Sequence, residues 1–272
     1  MTTRRSVLAA TPLLAAAACT VKPPVQSVPA PRTFMLIHGT WHGGWVWADV
    51  RTWLQDRGHR VFTPTLTGCG EREHLSSPDI GLETHITDLT QVIDFEDLSD
   101  ITIVAHSFSG VAMTGAVDRR RDRIRHVCFL DALVPRPGRM SGVEREEDRS
   151  IKQYFLDRQD RFIDGYKMDY FADCPMMMLM PESHPKAGWV QERLTTHPAK
   201  TWTDELVLQR GGWADLPRSF VHCIGQDFAM TSERMIGPAR GEGWQFIELD
   251  APRNAMVTHP VAVGEILEEL SA

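Results

Sequence analysis

Six short apolar runs recur along the chain: Phe34–His38, Arg60–Thr63, Ile101–His106, His126–Leu130, Ser219–Ile224 and Gln245–Leu249. Most are separated by stretches with helical spacing, namely Val46–Gln55, Thr84–Phe95, Ser109–Asp118, Ser232–Ile236 and Val261–Leu270. Continuous rather than alternating apolar strands suit a sheet buried on both faces. The pattern therefore predicts an α/β fold, a mostly parallel sheet with helices on both faces. Right-handed crossovers bring the loops that follow the strands to the carboxyl edge of that sheet. The interval from Arg136 to Pro217 breaks the alternation and is predicted to form a helical cap at about 136–217. Its run Pro175-Met-Met-Met-Leu-Met180, with Trp189 and Trp202, either lines an apolar pocket or packs the cap onto the core.

The third strand runs into Val104-Ala-His-Ser-Phe-Ser-Gly110. A strand that ends at a serine between small residues predicts a nucleophile elbow, a turn so sharp that the hydroxyl projects above the sheet. Ala105 and Ser109 stand where the Gly-x-Ser-x-Gly pattern has glycines, and Gly110 follows. Upstream, Phe34-Met-Leu-Ile-His38 leads into Gly39-Thr-Trp-His-Gly-Gly-Trp45, a glycine-rich loop after a strand. Such a loop beside an elbow aims backbone N–H groups at an oxygen that becomes negative during acyl transfer. The expected donors are the N–H groups of Thr40 and Phe108.

His38-Gly-Thr-Trp-His-Gly-Gly-Trp-Val-Trp47 resembles the opening of a group of α/β-hydrolases: plant methyl esterases, hydroxynitrile lyases and bacterial pyrethroid-type esterases. Leu66-Thr-Gly-Cys-Gly-Glu-Arg72, Leu82-Glu-Thr-His-Ile-Thr-Asp88, Leu130-Asp-Ala-Leu-Val-Pro135, Arg193-Leu-Thr-Thr-His-Pro198 and Ala255-Met256 continue the likeness over roughly residues 33–270. The resemblance implies an α/β-hydrolase fold and an acyl-serine mechanism on Ser107, without metal or organic cofactor. A serine hydroxyl needs a base held by an acid, in the chain order Ser, acid, His. Asp227, after the penultimate strand, is the expected acid, although a helix N-cap is its other reading; Asp131 is the reserve. Aligning Ala255-Met256 and His259-Pro260 with the family places Arg253 where its catalytic histidine belongs. A guanidinium keeps its proton and has no acceptor, so Arg253 cannot act as base and is expected instead to pair with Asp227, leaving a folded but disarmed site. His259, six residues on, is the one histidine nearby and reaches Ser107 only through a rearranged loop. His106 is expected to point away from the nucleophile.

The 272 residues suffice for one domain, and 42% hydrophobic with 24% charged residues is ordinary for a globular protein. A formal net charge of −7 argues against nucleic acid, and Arg119–Arg125 reads as a solvated helix end. Residues 1–18, with Arg4-Arg5 before a Leu/Ala stretch too short to span a bilayer, are predicted to be a twin-arginine-like export signal. Ala16-Ala-Ala-Cys19 permits signal cleavage or lipidation of Cys19, which would tether the protein to a membrane. Residues 19–32 are then a Pro-rich tether and 33–272 the hydrolase domain, in the periplasm or anchored facing it. Cys69, Cys128, Cys174 and Cys223 lack metal-ligand spacing. The expected function is hydrolysis of small or medium apolar esters, impaired by Arg253. The alternative is a silent protein that binds a small hydrophobic ligand. A lyase fits less well, because Gly39 stands where lyases of the group carry threonine.

Overall fold

A computed structural model describes residues 30–135, 139–141, 151, 153–170, 176–225, 237–241 and 243–271. The expected export signal, Cys19, Cys174, Asp227 and the helix expected at Ser232–Ile236 lie outside the described residues. We number the core elements alone. The strands are β1 (Thr33–Ile37), β2 (Arg60–Phe62), β3 (Ile101–His106), β4 (Ile124–Leu130), β5 (Arg218–Cys223) and β6 (Trp244–Leu249). The helices are α1 (Ala48–Gln55), α2 (Leu82–Phe95), α3 (Ser109–Arg119), α4 (Ala255–Thr258) and α5 (Pro260–Leu270).

The six strands form one sheet in the order β6-β5-β4-β3-β1-β2, and every neighbouring pair is parallel. Side chains alternate across each strand, so each face collects its own core. Phe34, Leu36, Val104, Cys128, Leu130 and Val221 pack with residues of α1, α4 and α5 on one face. Met35, Ile37, Ile103, Ala105, Val127 and Phe129 pack with α2 and α3 on the other. Register aligns the strand ends: Ile37 pairs with Ala105, His106 with Leu130, Leu130 with Val221, and Cys223 with Leu249. The segments after β1, β3, β4, β5 and β6 therefore leave the sheet along one edge.

Where boundaries differ from expectation, the reasons are local. The first helix opens as a tight 3₁₀ turn, Gly44–Trp47, before α1. Helix α2 starts at Leu82 because Asp204 accepts its N–H at 3.0 Å and the Thr84 hydroxyl accepts that of Gly81. The basic run is not merely solvated: Arg119 pairs with Glu83, Arg120 with Asp94, Arg123 with Asp97 and Arg125 with Asp100.

The described part of the cap holds short pairings, Arg139–Met140 with Leu206–Val207 and Lys167–Met168 with His197–Pro198, both antiparallel. Its short helices include Gln153–Leu156, Ala187–Gln191 and Lys200–Thr203. Both tryptophans pack cap onto core. Trp189 meets Trp45 edge-on at 5.2 Å, and Trp202 stacks on Phe108 at 4.7 Å. Polar ties reinforce them: the Thr195 N–H donates to the Trp41 carbonyl, and Glu73 accepts from both the N–H and hydroxyl of Thr196.

Candidate active site

Ser107 sits at the tip of β3 with φ of 61°, in the left-handed region that a non-glycine residue adopts only where its surroundings enforce it. The turn is held by its carbonyl, which accepts the N–H groups of Leu133 at 2.9 Å and Gly110 at 3.3 Å. A Cβ at Gly110 would run into the Leu133 carbonyl, which explains a glycine at this point. Ser109, one of the two departures from the elbow pattern, fits because its hydroxyl donates to the His106 carbonyl at 2.8 Å. A small polar side chain thus replaces glycine by bonding the backbone it crowds.

The loop after β1 presses against this elbow. A Cβ at Gly39 would stand 2.8 Å from Cβ of Ser107 and 2.9 Å from Nδ1 of His106, so only glycine lets the two segments meet. Thr40 and Phe108 are buried on either side of that contact.

Arg253 reaches the serine. Its Nη2 donates to Ser107 Oγ at 2.7 Å, and its Nη1 donates to Asp131 Oδ2. Arg253 is 4% exposed and Asp131 1%, so the ion pair is shielded from solvent. Asp131 follows β4 directly, with φ of 44°, and its other oxygen lies 3.3 Å from Nδ1 of His222 on β5. The chain thus places a permanent cation against the hydroxyl and a carboxylate behind it.

Histidines surround this arrangement as neutral supports. His38 donates from Nδ1 to the Gly39 carbonyl and accepts the Leu66 N–H at Nε2. His42 donates from Nδ1 to the Thr40 carbonyl, and its Nε2 accepts from Asn254 Nδ2 at 3.1 Å, tying the first loop to the residue after Arg253. Burial pushes His38, His42 and His85 down to about 4. His106 is buried 6.1 Å from the His42 ring; burial and then the charge of Arg253 hold it well below the usual imidazole range. His106 makes no hydrogen bond to Ser107. Cys69 meets Nδ1 of His197 at 3.3 Å, and burial pushes its thiol upward. Cys128 and Cys223 are likewise buried and free.

The sequence-predicted residues are thus brought together in part. Ser107, Arg253, Thr40 and Phe108 converge on one edge, with Asp131 from the reserve position. His259 does not join them: it is exposed between α4 and α5, its ring on the Thr258 hydroxyl. Sequence reasoning missed Asn254 and His222, whose roles appear only as long-range contacts. Among the described residues, no group of three or more His, Cys, Asp or Glu side chains is placed to hold a metal ion.

Residues 34–265 match the model of a family described as Alpha/beta hydrolase family. A carbendazim hydrolyzing esterase of Nocardioides sp. (strain SG-4G) is 33% identical over 250 residues, covering 88% of this chain and 98% of its own. Methyl jasmonate esterase 1 of Vitis vinifera is 32% identical over 110 residues, 39% of this chain and 41% of its own. Among solved structures, an extracellular alpha/beta-hydrolase from a Paenibacillus species superposes with a TM-score of 0.72 at 20% identity, covering 88% of this chain and 99% of that one. A pyrethroid hydrolase from Sphingobium faniae JZ-2 gives 0.66 at 18% identity, with 89% and 98% covered. At these identities the structural matches speak for the fold.

Proposed function

Because this chain belongs to the alpha/beta hydrolase family, we propose that it is a carboxylic ester hydrolase acting on small or medium apolar esters through an acyl group carried on Ser107. The observation that carries this reading is the left-handed backbone of Ser107 at the tip of β3, joined to a loop packed against it. Esterase relatives support the class of reaction. In the proposed reaction, Ser107 Oγ attacks the carbonyl carbon. The N–H groups of Thr40 and Phe108 stabilise the developing oxyanion, and water later releases the acid.

Arg253 makes that reaction slow. Its guanidinium donates to Oγ and accepts nothing, so the proton of Ser107 has no imidazole to go to. Hydrolases that lose a triad member keep about 10³–10⁴-fold catalysis over water from the oxyanion hole and binding. Turnover of p-nitrophenyl butyrate by the parent, Arg253→His and Ser107→Ala proteins tests the reading. Expected are weak parental activity, a gain of about hundredfold or more in Arg253→His, and loss of that gain when Ser107→Ala is added. No gain in a folded Arg253→His protein counts against this assignment.

The same contact favours a second reading, a silent binder of a small hydrophobic ligand, because a buried ion pair fills the place of a base. Ligand-dependent stabilisation without turnover in any variant would select it. The leader motif Arg4-Arg5 and Cys19 support export to the periplasm with lipid tethering; fractionation of cells that express the full chain and its Cys19→Ala form tests this.

A further inference from the structure

Ser107 and Arg253 form a pair whose chemistry is not symmetrical between taking an acyl group and giving it up. We propose that the site is a single-turnover acyl acceptor for esters of acidic alcohols, phenols and enols, which it captures on Ser107 and retains. The inference rests on the reading above, in which Ser107 is the attacking group.

A cation in contact with a hydroxyl favours its deprotonated form. Arg253 holds that position firmly: Nη2 is 2.7 Å from Oγ, while Nη1 is fixed on Asp131 in a buried pair. Ser107 itself is partly exposed, so solvent reaches it. Hydroxide from solvent removes the Ser107 proton and becomes water. The alkoxide electron pair forms the bond from Oγ to the carbonyl carbon, and the C=O π electrons move onto oxygen. When they return, the bond to the alcohol oxygen breaks and that oxygen leaves with its electrons.

The leaving group receives no proton from the site, because a guanidinium yields none near neutral pH. Phenolates and enolates are stable enough to depart so; simple alkoxides are not. That difference sets the substrate class. It also explains the retention, because the acyl–Ser107 product is an ester of an aliphatic alcohol, whose alkoxide, even paired with Arg253, leaves far less readily than a phenolate or enolate. Its hydrolysis needs a deprotonated water and the expulsion of an alkoxide. Of the buried histidines nearby, His38 and His42 have both ring nitrogens committed and resist protonation. His106, also buried, makes no hydrogen bond to Ser107 and is held well below the usual imidazole range by burial and then by Arg253, so none of the three is placed to activate that water.

The test is to incubate the purified full chain with p-nitrophenyl butyrate and, in parallel, with methyl butyrate, and to read intact mass, peptide mapping and nitrophenolate release. Expected is a burst approaching one nitrophenolate per chain and one butyryl group on Ser107. The burst rate should rise in proportion to hydroxide, and methyl butyrate and Ser107→Ala should give no label. Arg253→His should turn over about hundredfold faster without accumulating the adduct. A parent that stays unlabelled, or turns over without an adduct, while Arg253→His hydrolyses ester, overturns the inference and leaves the esterase reading intact. Folded parent and Arg253→His proteins that are both unlabelled and inactive overturn that reading as well.

Discussion

Asp131 and Arg253 stand 122 residues apart in the chain and close an ion pair that solvent scarcely reaches. Neither charge can be left alone in such a place, since the desolvation of an isolated ion outweighs what its remaining neighbours return. Asp131→Ala is therefore expected to destabilise the fold by about 3–5 kcal/mol. Arg253→His, whose ring can also donate to the carboxylate, should lose much less. Urea unfolding midpoints of the two variants against the parent measure the difference. Equal losses would show that the pair is not what the buried carboxylate depends on.

The elbow makes a prediction of its own. Gly110→Ala places a methyl group into the Leu133 carbonyl, so backbone must shift at the turn that orients Ser107. Overpacking of this kind destabilises by about 1–3 kcal/mol. Ser109→Ala removes only hydrogen bonds to the carbonyls of His106 and Ile37 and should lose about 1 kcal/mol. Thermal melts rank the two, and a Gly110→Ala protein as stable as the parent would contradict the close packing described.

How far the sequence discloses this molecule follows from the range of the interactions involved. Strand periodicity is local, and all six expected strands appear with ends shifted by at most two residues, Ile101–His106 by none. Ser107 is legible because a strand, a serine and small neighbours are adjacent in the chain. Arg253 is legible only through the resemblance, since nothing local distinguishes it from another arginine. Its acidic partner is a different matter. Asp131 and Asp227 both follow strands that end on the same edge, so chain order cannot choose between them. The structure brings Asp131 to Arg253, while Asp227 lies outside the described residues. The partners of the basic run were hidden for the same reason: Glu83 and Asp94 lie on α2, and only the packing of α2 against α3 brings them to Arg119 and Arg120.

Trp202 reports on the link between cap and chemistry. Its ring stacks on that of Phe108 with 19° between planes, and Phe108 is the residue whose N–H is proposed to hold the oxyanion. In an Arg253→His background, Trp202→Ala should lower kcat for p-nitrophenyl butyrate more than it raises KM, because the donor is mispositioned while most of the apolar wall remains. An aromatic pair of this kind contributes about 0.5–1.5 kcal/mol beyond area burial, so a several-fold fall is expected. Trp202→Phe, which keeps a stacking ring, should recover most of it. A change confined to KM would assign Trp202 to substrate binding instead.

The buried histidines predict how stability responds to acid. Burial holds His38, His42 and His85 at about 4 in the folded protein, against 6.5 for a free imidazole. The unfolded chain therefore binds protons that the native state refuses as pH falls below about 6.5. Stability contributed by these neutral rings is complete above that pH and drains away until about 4, where the native rings protonate too. His106 and His197 are lowered in the same direction, chiefly by burial. A tenfold difference in proton affinity between folded and unfolded chain is worth about 1.4 kcal/mol. Even one such ring therefore contributes a few kcal/mol, and the fold should weaken steeply across this window. Urea midpoints taken at about pH 7 and about pH 4.5 should differ accordingly. His85→Gln, which retains a donor for the Thr67 carbonyl now bonded to Nε2, should flatten the slope by one residue's share. A midpoint that stays constant across the window would mean that these rings are not held neutral by the fold.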